Sequence, residues 1–201
     1  MLPTIRKITL LAGCAALLAA PVAANAAEKL DFILNWVAGG DHAPYYYAKK
    51  MGWYEKAGVD LNIEQGKGSA VAAQKVGAGA DPVGLADMAN VLVARGKGAD
   101  LVGIMNVYAN SPQGLYWLKS SGIKTVKDLA GKKIGNPPGD GARTMWPALA
   151  KANGMDPKSV TWVNIDANSK LAALKSHAID ATTSFYNIHH IFKRELGDDM
   201  G

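Results

Sequence analysis

The order of apolar runs and turn residues predicts an α/β protein of two lobes, each built on a mostly parallel sheet. Three observations carry this expectation. Beyond residue 26, short apolar runs alternate with amphipathic helical stretches, the pattern of repeated βαβ units. The stretch Leu34–Asp60, LNWVAGGDHAPYYYAKKMGWYEKAGVD, is itself such an opening: a strand end, a Gly-rich loop, an aromatic helix, then a second strand. Midway, Asn110-Ser111-Pro112-Gln113 breaks the alternation and reads as a crossover, dividing residues 27–110 from residues 111–201.

The elements follow in order. Leu30–Asn35 is an apolar strand. Pro44 starts a helix over Pro44–Ala57, where its missing N–H costs nothing; Tyr47, Met51 and Tyr54 share one face, and Tyr46 and Tyr47 are expected to pack. Val59–Glu64 is a strand, and Gly66-Lys67-Gly68-Ser69 opens helix Ser69–Val76. A short strand Val83–Ala86, helix Met88–Arg95 and strand Leu101–Tyr108 complete the first lobe. The second lobe begins with strand Gly114–Lys119, a short helix Val126–Ala130 and strand Lys132–Gly135. The loop Asn136–Gly141 feeds helix Ala142–Asn153, which Gly154 ends. Strand Val160–Asn164, helix Ser169–Ser176, strand Ile179–Thr183 and helix Asn187–Glu195 follow.

Residues 1–26 read as a targeting segment rather than fold. Arg6 and Lys7 precede the apolar run Ile8–Val22, and Ala24-Asn25-Ala26 offers an A-x-A cleavage site. Leu11-Ala12-Gly13-Cys14 resembles a lipobox, but the apolar stretch after Cys14 favours cleavage near Ala26 and a freely exported, periplasmic protein. Cys14 is the only cysteine, so the cleaved chain has neither a disulfide nor a thiolate. The net charge of +5 falls to +3 without Arg6 and Lys7, an ordinary solvated surface. No basic run with interleaved aromatics exists, so nucleic acid is not an expected partner.

Open α/β sheets bind ligands outside the carboxyl ends of their strands, which selects the candidate residues. Asn35 and Trp36 end the first strand; Trp36 reads as an aromatic wall or as core. His42 is a polar orienter or a capping loop residue, and Tyr45 one step on could stack or hydrogen-bond. Gly68 and Ser69 present a helix N-terminus to a ligand oxygen or form a plain cap. Asp87 accepts from a ligand amino group or caps the helix after it, and Asn110 and Ser111 lie at the crossover. Gly139 and Asp140 precede a second helix N-terminus; Arg143 is an anion anchor or a solvated residue, and Trp146 a ring lid or core. Tyr186 and Asn187 repeat the aromatic-plus-amide pairing of Asn35-Trp36. GKGS lacks the spacing of a phosphate-binding P-loop, and His177, His189 and His190 lack acidic partners at metal spacing; no metal or cofactor is expected.

Four phrases carry a resemblance: LNW…DHAPYYYAKKMGWYEKAGVDL, GADPVGLADMANVLVARGKGADLVGI, VKDLAGKKIGNPPGDGARTMWPALAKANG and LAALKSHAIDATTSFYN. In this order they resemble the NMT1/THI5-like periplasmic substrate-binding proteins. The resemblance implies a two-lobed periplasmic binding protein type II fold, an ABC importer permease as partner, and a small-molecule ligand held without reaction. The aromatics at strand ends favour a flat heteroaromatic such as a thiamin-precursor pyrimidine. A sulfonate or taurine-type ligand stays open, with Arg143 as its anchor. Family members that synthesise the thiamin pyrimidine from pyridoxal phosphate carry a Lys and a His in the stretch matching GLADMANVL. Here Ala86 and Asn90 stand there, which argues against a synthase, since a Schiff base needs a lysine amine. The family pattern also implies a return of the chain to the first lobe, so the second lobe and that return are expected to be incomplete at Gly201.

Overall fold

The computed structural model describes residues 26–201; the expected targeting segment, residues 1–26, and Cys14 lie outside the described residues, apart from Ala26. The first sheet has three parallel strands in the order β2-β1-β3: β1 (Glu28–Ile33), β2 (Val59–Glu64) and β3 (Val83–Gly84). Its helices are α1 (Ala43–Lys50), α2 (Trp53–Lys56), α3 (Ser69–Gly77) and α4 (Met88–Gly96). The second sheet runs β4-β7-β5-β6, with β4 (Gln113–Trp117), β5 (Lys133–Asn136), β6 (Thr161–Asn164) and β7 (Ala181–Phe185). Only β4 is antiparallel to its neighbour, β7. Helices α5 (Gly141–Ala152), α6 (Lys170–Lys175) and α7 (His189–Leu196) cover this sheet. The α/β class and the mostly parallel sheets agree with the sequence.

Strand parity sorts the core of the second sheet. Leu115 and Trp117 of β4 pack with Ile134, Trp146 of α5 and Ala181. Tyr116 and the following Leu118 face the other way, onto Leu174 of α6 and Phe192 of α7. Successive strand side chains point to opposite faces, so this alternation buries both faces of the sheet. Phe192 stacks on Tyr116 at 4.3 Å between ring centroids. In the first sheet, Phe32 and Leu34 pack with Leu61, Tyr45 and Tyr54. Between them in sequence, Ile33 turns to the opposite face and is 1% exposed.

Several elements differ from the expectation. The helix over Pro44–Ala57 is broken into α1 and α2, because Gly52 adopts φ +66°, a left-handed turn that ends one helix and starts the next. Tyr45 and Tyr54 supply the packed face; Tyr46, Tyr47 and Met51 are exposed, with Tyr47 edge-on to Trp53. Val126–Leu129 is a 3₁₀ turn rather than a helix, and a further 3₁₀ turn, Tyr186–Ile188, precedes α7. The expected strand Leu101–Tyr108 does not form. Leu101 is buried, but Val102, Ile104, Met105 and Val107 point into solvent, Ile104 at 79% exposure. The stretch has the apolar composition of a strand but no partner strand among the described residues, and composition alone supplies no ladder hydrogen bonds.

Candidate functional site

A cleft of about 300 Å³ lies where the carboxyl ends of both sheets face each other. Its lining follows from topology. Asn35 and Trp36 follow β1, Asp87 follows β3, Asp140 follows β5, Asn168 follows β6, and Phe185 and Asn187 lie at the end of β7. Gln113 begins the antiparallel β4 and so enters from the same end.

Asn35 is held by His42. The His42 ring is 1% exposed and lies behind the cleft wall rather than on it. Its Nδ1 accepts from Gly39 N–H at 3.1 Å, which leaves Nε2–H to donate to Asn35 Oδ1 at 2.9 Å. Both bonds are met by one neutral tautomer, so the 3.3 Å approach of Asp41 to Nδ1 is not an ion pair in this state. Burial lowers the His42 pKa from its ordinary value, with Asp41 opposing. With Oδ1 engaged, the Asn35 amide has a fixed orientation at the cleft wall.

Lys170, at the first residue of α6, crosses the cleft. Its Nζ donates to Asp140 Oδ2 at 2.6 Å and to Thr183 O at 2.8 Å, and it sits 4.7 Å from the centroid of the Trp36 ring. Burial lowers the Lys170 pKa and Asp140 opposes the shift. Asp140 in turn caps α5, accepting from Ala142 N at 2.9 Å. Beneath them, Asn136 donates to Thr183 Oγ1 at 2.6 Å and its Oδ1 lies 3.0 Å from the Thr182 hydroxyl, which also donates to Gly135 O at 2.7 Å; these contacts tie β5 to β7 in a buried polar network.

Asp87 makes no capping bond to α4. Its N–H donates to Ser69 Oγ at 3.0 Å, and its Oδ2 accepts from Gln113 Nε2 at 3.2 Å. Burial raises its pKa from the ordinary carboxyl value; the Gln113 hydrogen bond opposes and the nearby Asp140 charge adds to the rise. Asn187 donates to the Tyr108 hydroxyl at 3.2 Å.

The backbones of the two sheets' helices meet beside the cleft. Gly68 takes φ +122°, and a Cβ there would collide with Gly139 O; Ala70 N donates to that same carbonyl at 3.2 Å. Glycine at both positions is therefore a steric requirement of this approach.

Of the residues singled out from sequence, Asn35, Trp36, Ser69, Asp87, Asp140 and Asn187 line the cleft. Gly68 and Gly139 form its backbone edge. The others go elsewhere. Trp146 is core, 3% exposed, its Nε1 donating to Pro157 O at 2.9 Å. Arg143 turns away and lies 4.8 Å from the Trp162 ring centroid. Tyr45 packs edge-on to Phe32 at 5.2 Å. Tyr186 is exposed and touches Tyr108, while Asn110 and Ser111 are exposed at the crossover. Phe185, the last residue of β7, supplies the cleft aromatic instead of Tyr186, which begins the 3₁₀ turn and points to solvent. Lys170, Gln113 and Asn168 were not anticipated. A signal existed for Lys170: a lysine at a helix N-terminus opposes the macrodipole and needs an anionic partner. No group of three or more His, Cys, Asp or Glu residues that could hold a metal occurs among the described residues. Nor is any described helix long and apolar enough to cross a membrane.

Comparison with known proteins places this geometry. The 4-amino-5-hydroxymethyl-2-methylpyrimidine phosphate synthase of Legionella pneumophila is 29% identical over 164 residues, covering 82% of this chain and 51% of that protein. The synthase of the same name, THI5, of Saccharomyces cerevisiae is 29% identical over 142 residues, covering 70% of this chain and 42% of that protein. The chain thus spans about half the length of the curated relatives it matches. Among solved structures, the alkanesulfonate-binding protein SsuA of Xanthomonas axonopodis pv. citri bound to MOPS superposes with a TM-score of 0.68 at 16% identity, covering 86% of this chain and 59% of that one. The periplasmic aliphatic sulphonate binding protein SsuA of Escherichia coli gives 0.59 at 18% identity, covering 83% and 57%. At these identities the likeness establishes the architecture, which is that of two-lobed periplasmic binding proteins. The profile described as "NMT1/THI5 like" matches residues 40–200, and the chain belongs to the NMT1/THI5-like family.

Proposed function

We propose that this chain is the solute-binding component of an ABC importer, exported to the periplasm, whose two lobes (residues 27–110 and 111–201) close on a small flat heteroaromatic ligand and deliver it to a permease. The observation that carries this is the cleft: Trp36, after the first strand of one sheet, and Phe185, at the end of a strand of the other, line one hollow, with amide and carboxylate groups around it. Convergent polar groups in a mostly apolar hollow fit a small-molecule site, and two aromatic rings in its lining suit a planar guest. The shared architecture with sulfonate-binding proteins supports the binding role, and the pyrimidine named in the curated relatives supports a thiamin-precursor pyrimidine as the guest. The targeting signals of residues 1–26 support export.

A synthase reading fits the residues less well. Pyridoxal phosphate needs a lysine amine for its Schiff base. Ala86 has none, and Asn90 is buried and accepts from Thr144 Oγ1 at 2.7 Å. The one amine of the described cleft lining, on Lys170, is engaged by Asp140, Thr183 and the Trp36 ring. Titration calorimetry of the purified protein with 4-amino-5-hydroxymethyl-2-methylpyrimidine is the test. Saturable heat with the pyrimidine recovered unchanged supports the binding role. Uptake of pyridoxal phosphate with a new near-ultraviolet band, or no heat with any heterocycle, overturns it.

A further inference from the structure

We infer that the cleft selects a ligand presenting N–H donors, an amine, an amidine or an aminated ring, and rejects sulfonates and other oxyanions, with Asp87 as the residue that sets the choice. This deepens the proposed binding role and rests on it.

The charge of the lining is the first support. Its ionisable groups are three carboxylates, Asp41, Asp87 and Asp140, against one ammonium, Lys170. That ammonium is already neutralised by Asp140 at 2.6 Å. Asp41 and Asp87 therefore leave the hollow negative, which repels a second anion and attracts a cation or a strong donor.

The helix ends are the second support. A helix N-terminus offers free N–H groups to an anion, but here the protein takes up part of these positions itself. At α5, Asp140 Oδ1 takes the Ala142 N–H, and Asp87 Oδ2 lies so close to Gly141 that a Cβ there would collide with it. At α3, the Ala70 N–H is taken by Gly139 O. An entering oxyanion would meet carboxylates where it needs donors. Arg143, the guanidinium expected from sequence to hold an anion, lies on Trp162 outside the lining.

Asp87 itself is the third. None of the ion pairs among the described residues includes it, and its side-chain oxygen accepts from the neutral Gln113 amide at 3.2 Å. Burial pushes its carboxyl up, against the Gln113 and Ser69 hydrogen bonds that favour the charged form. A half-buried carboxylate without a counter-charge is unfavourable until something supplies one. A ligand N–H beside Trp36 and Phe185 does so, and the resulting charge-assisted hydrogen bond ties specificity to the ring's amino group.

Three probes separate the outcomes: 4-amino-2-methylpyrimidine, 2,4-dimethylpyrimidine, in which a methyl of similar size replaces the amino group and no N–H is left, and benzenesulfonate. Binding is read by tryptophan fluorescence and calorimetry on the full chain and on Asp87→Asn. The expected result is at least tenfold tighter binding of the amine than of the methyl compound, with no detectable benzenesulfonate. In Asp87→Asn the amine loses at least tenfold while the methyl compound is unchanged, and a matching circular dichroism spectrum confirms the fold. Equal binding of amine and methyl compounds by the unmutated protein overturns this inference but leaves the heteroaromatic role standing. So does benzenesulfonate binding as tight as the amine's. Failure of every heterocycle to bind overturns both.

Discussion

Lys170→Met isolates the ion pair that spans the cleft floor. Methionine keeps an unbranched stem of similar bulk, so the change removes charge more than packing. Lys170 is 7% exposed and Asp140 4%, and after the change Asp140 keeps only the Ala142 N–H as a partner. Stripping one member from a buried pair costs about 3–5 kcal/mol, because the remaining charge is stranded. The lost contact with the Trp36 ring adds about 1 kcal/mol. At about 2–4 °C per kcal/mol for a chain of this size, the midpoint should fall by roughly 10 °C or more. Asp140→Asn with Lys170→Met should recover most of that loss, since Asn caps a helix about as well as Asp and no unpaired charge remains. Urea unfolding followed by tryptophan fluorescence on the wild type, both single variants and the double variant gives the coupling. A Lys170→Met cost below about 1 kcal/mol, or single costs that simply add, would refute the account of Lys170 as a buried partner of Asp140.

The remaining predictions use other residues. Trp36→Ala should weaken pyrimidine binding at least tenfold by calorimetry with little loss of secondary structure, because the ring is half-buried on the cleft wall; unchanged affinity would remove Trp36 from the site. Asp87→Asn should stabilise the free protein at pH 7. The raised Asp87 pKa means the folded state holds a proton more tightly, so the wild type loses stability as pH rises from about 4 through the folded value, and the variant's advantage should vanish below about pH 4. His42 has the opposite sign: its pKa is lowered in the fold, so the unfolded chain protonates first and stability falls as pH drops below about 6.5. His42→Gln should flatten that decline in urea midpoints between pH 7 and 5 and weaken ligand binding through Asn35; an unaltered slope would contradict the neutral buried ring. Ile104→Lys should reduce self-association in sedimentation, because Val102, Ile104, Met105 and Val107 form an uncharged apolar stretch open to pairing with another chain.

Local periodicity made most elements legible. Strand β4 is an example: Leu115, Tyr116, Trp117 and Leu118 alternate between two cores, and that parity is written in the residues themselves. Helices α3 and α5 lie within a residue of their expected bounds, since Ser69 follows the N-cap Gly68 and α5 follows the capping Asp140. The stretch Leu101–Tyr108 misled because composition specifies a strand's character but not the presence of a partner. The site was half legible. Residues immediately after strand ends, Asn35, Trp36, Asp87 and Asp140, could be placed by the topology of open sheets alone. Trp146 could not, because an aromatic one turn into a helix reads the same whether it faces a cleft or a core. Lys170 and Asp140 are 30 residues apart, so nothing local announces their pairing. The same holds for Gln113 and Asp87, which are joined only when β4 starts beside β3's exit.

If the two lobes close as proposed, the touching backbones of Gly68 and Gly139 would constrain the movement. Two chains pressed together without side chains between them act as a fulcrum: rotation about this point leaves it nearly still while the far rim travels most. A methyl group inserted there, as in Gly139→Ala, would meet Val71 and the Lys67 carbonyl and prop the jaws wider at rest. Apparent affinity would then drop in proportion to the fraction of molecules still able to shut, whatever the guest's chemistry. Selectivity and grip would thus be adjustable independently, one through the carboxylate wall and the other through a spacer at the pivot.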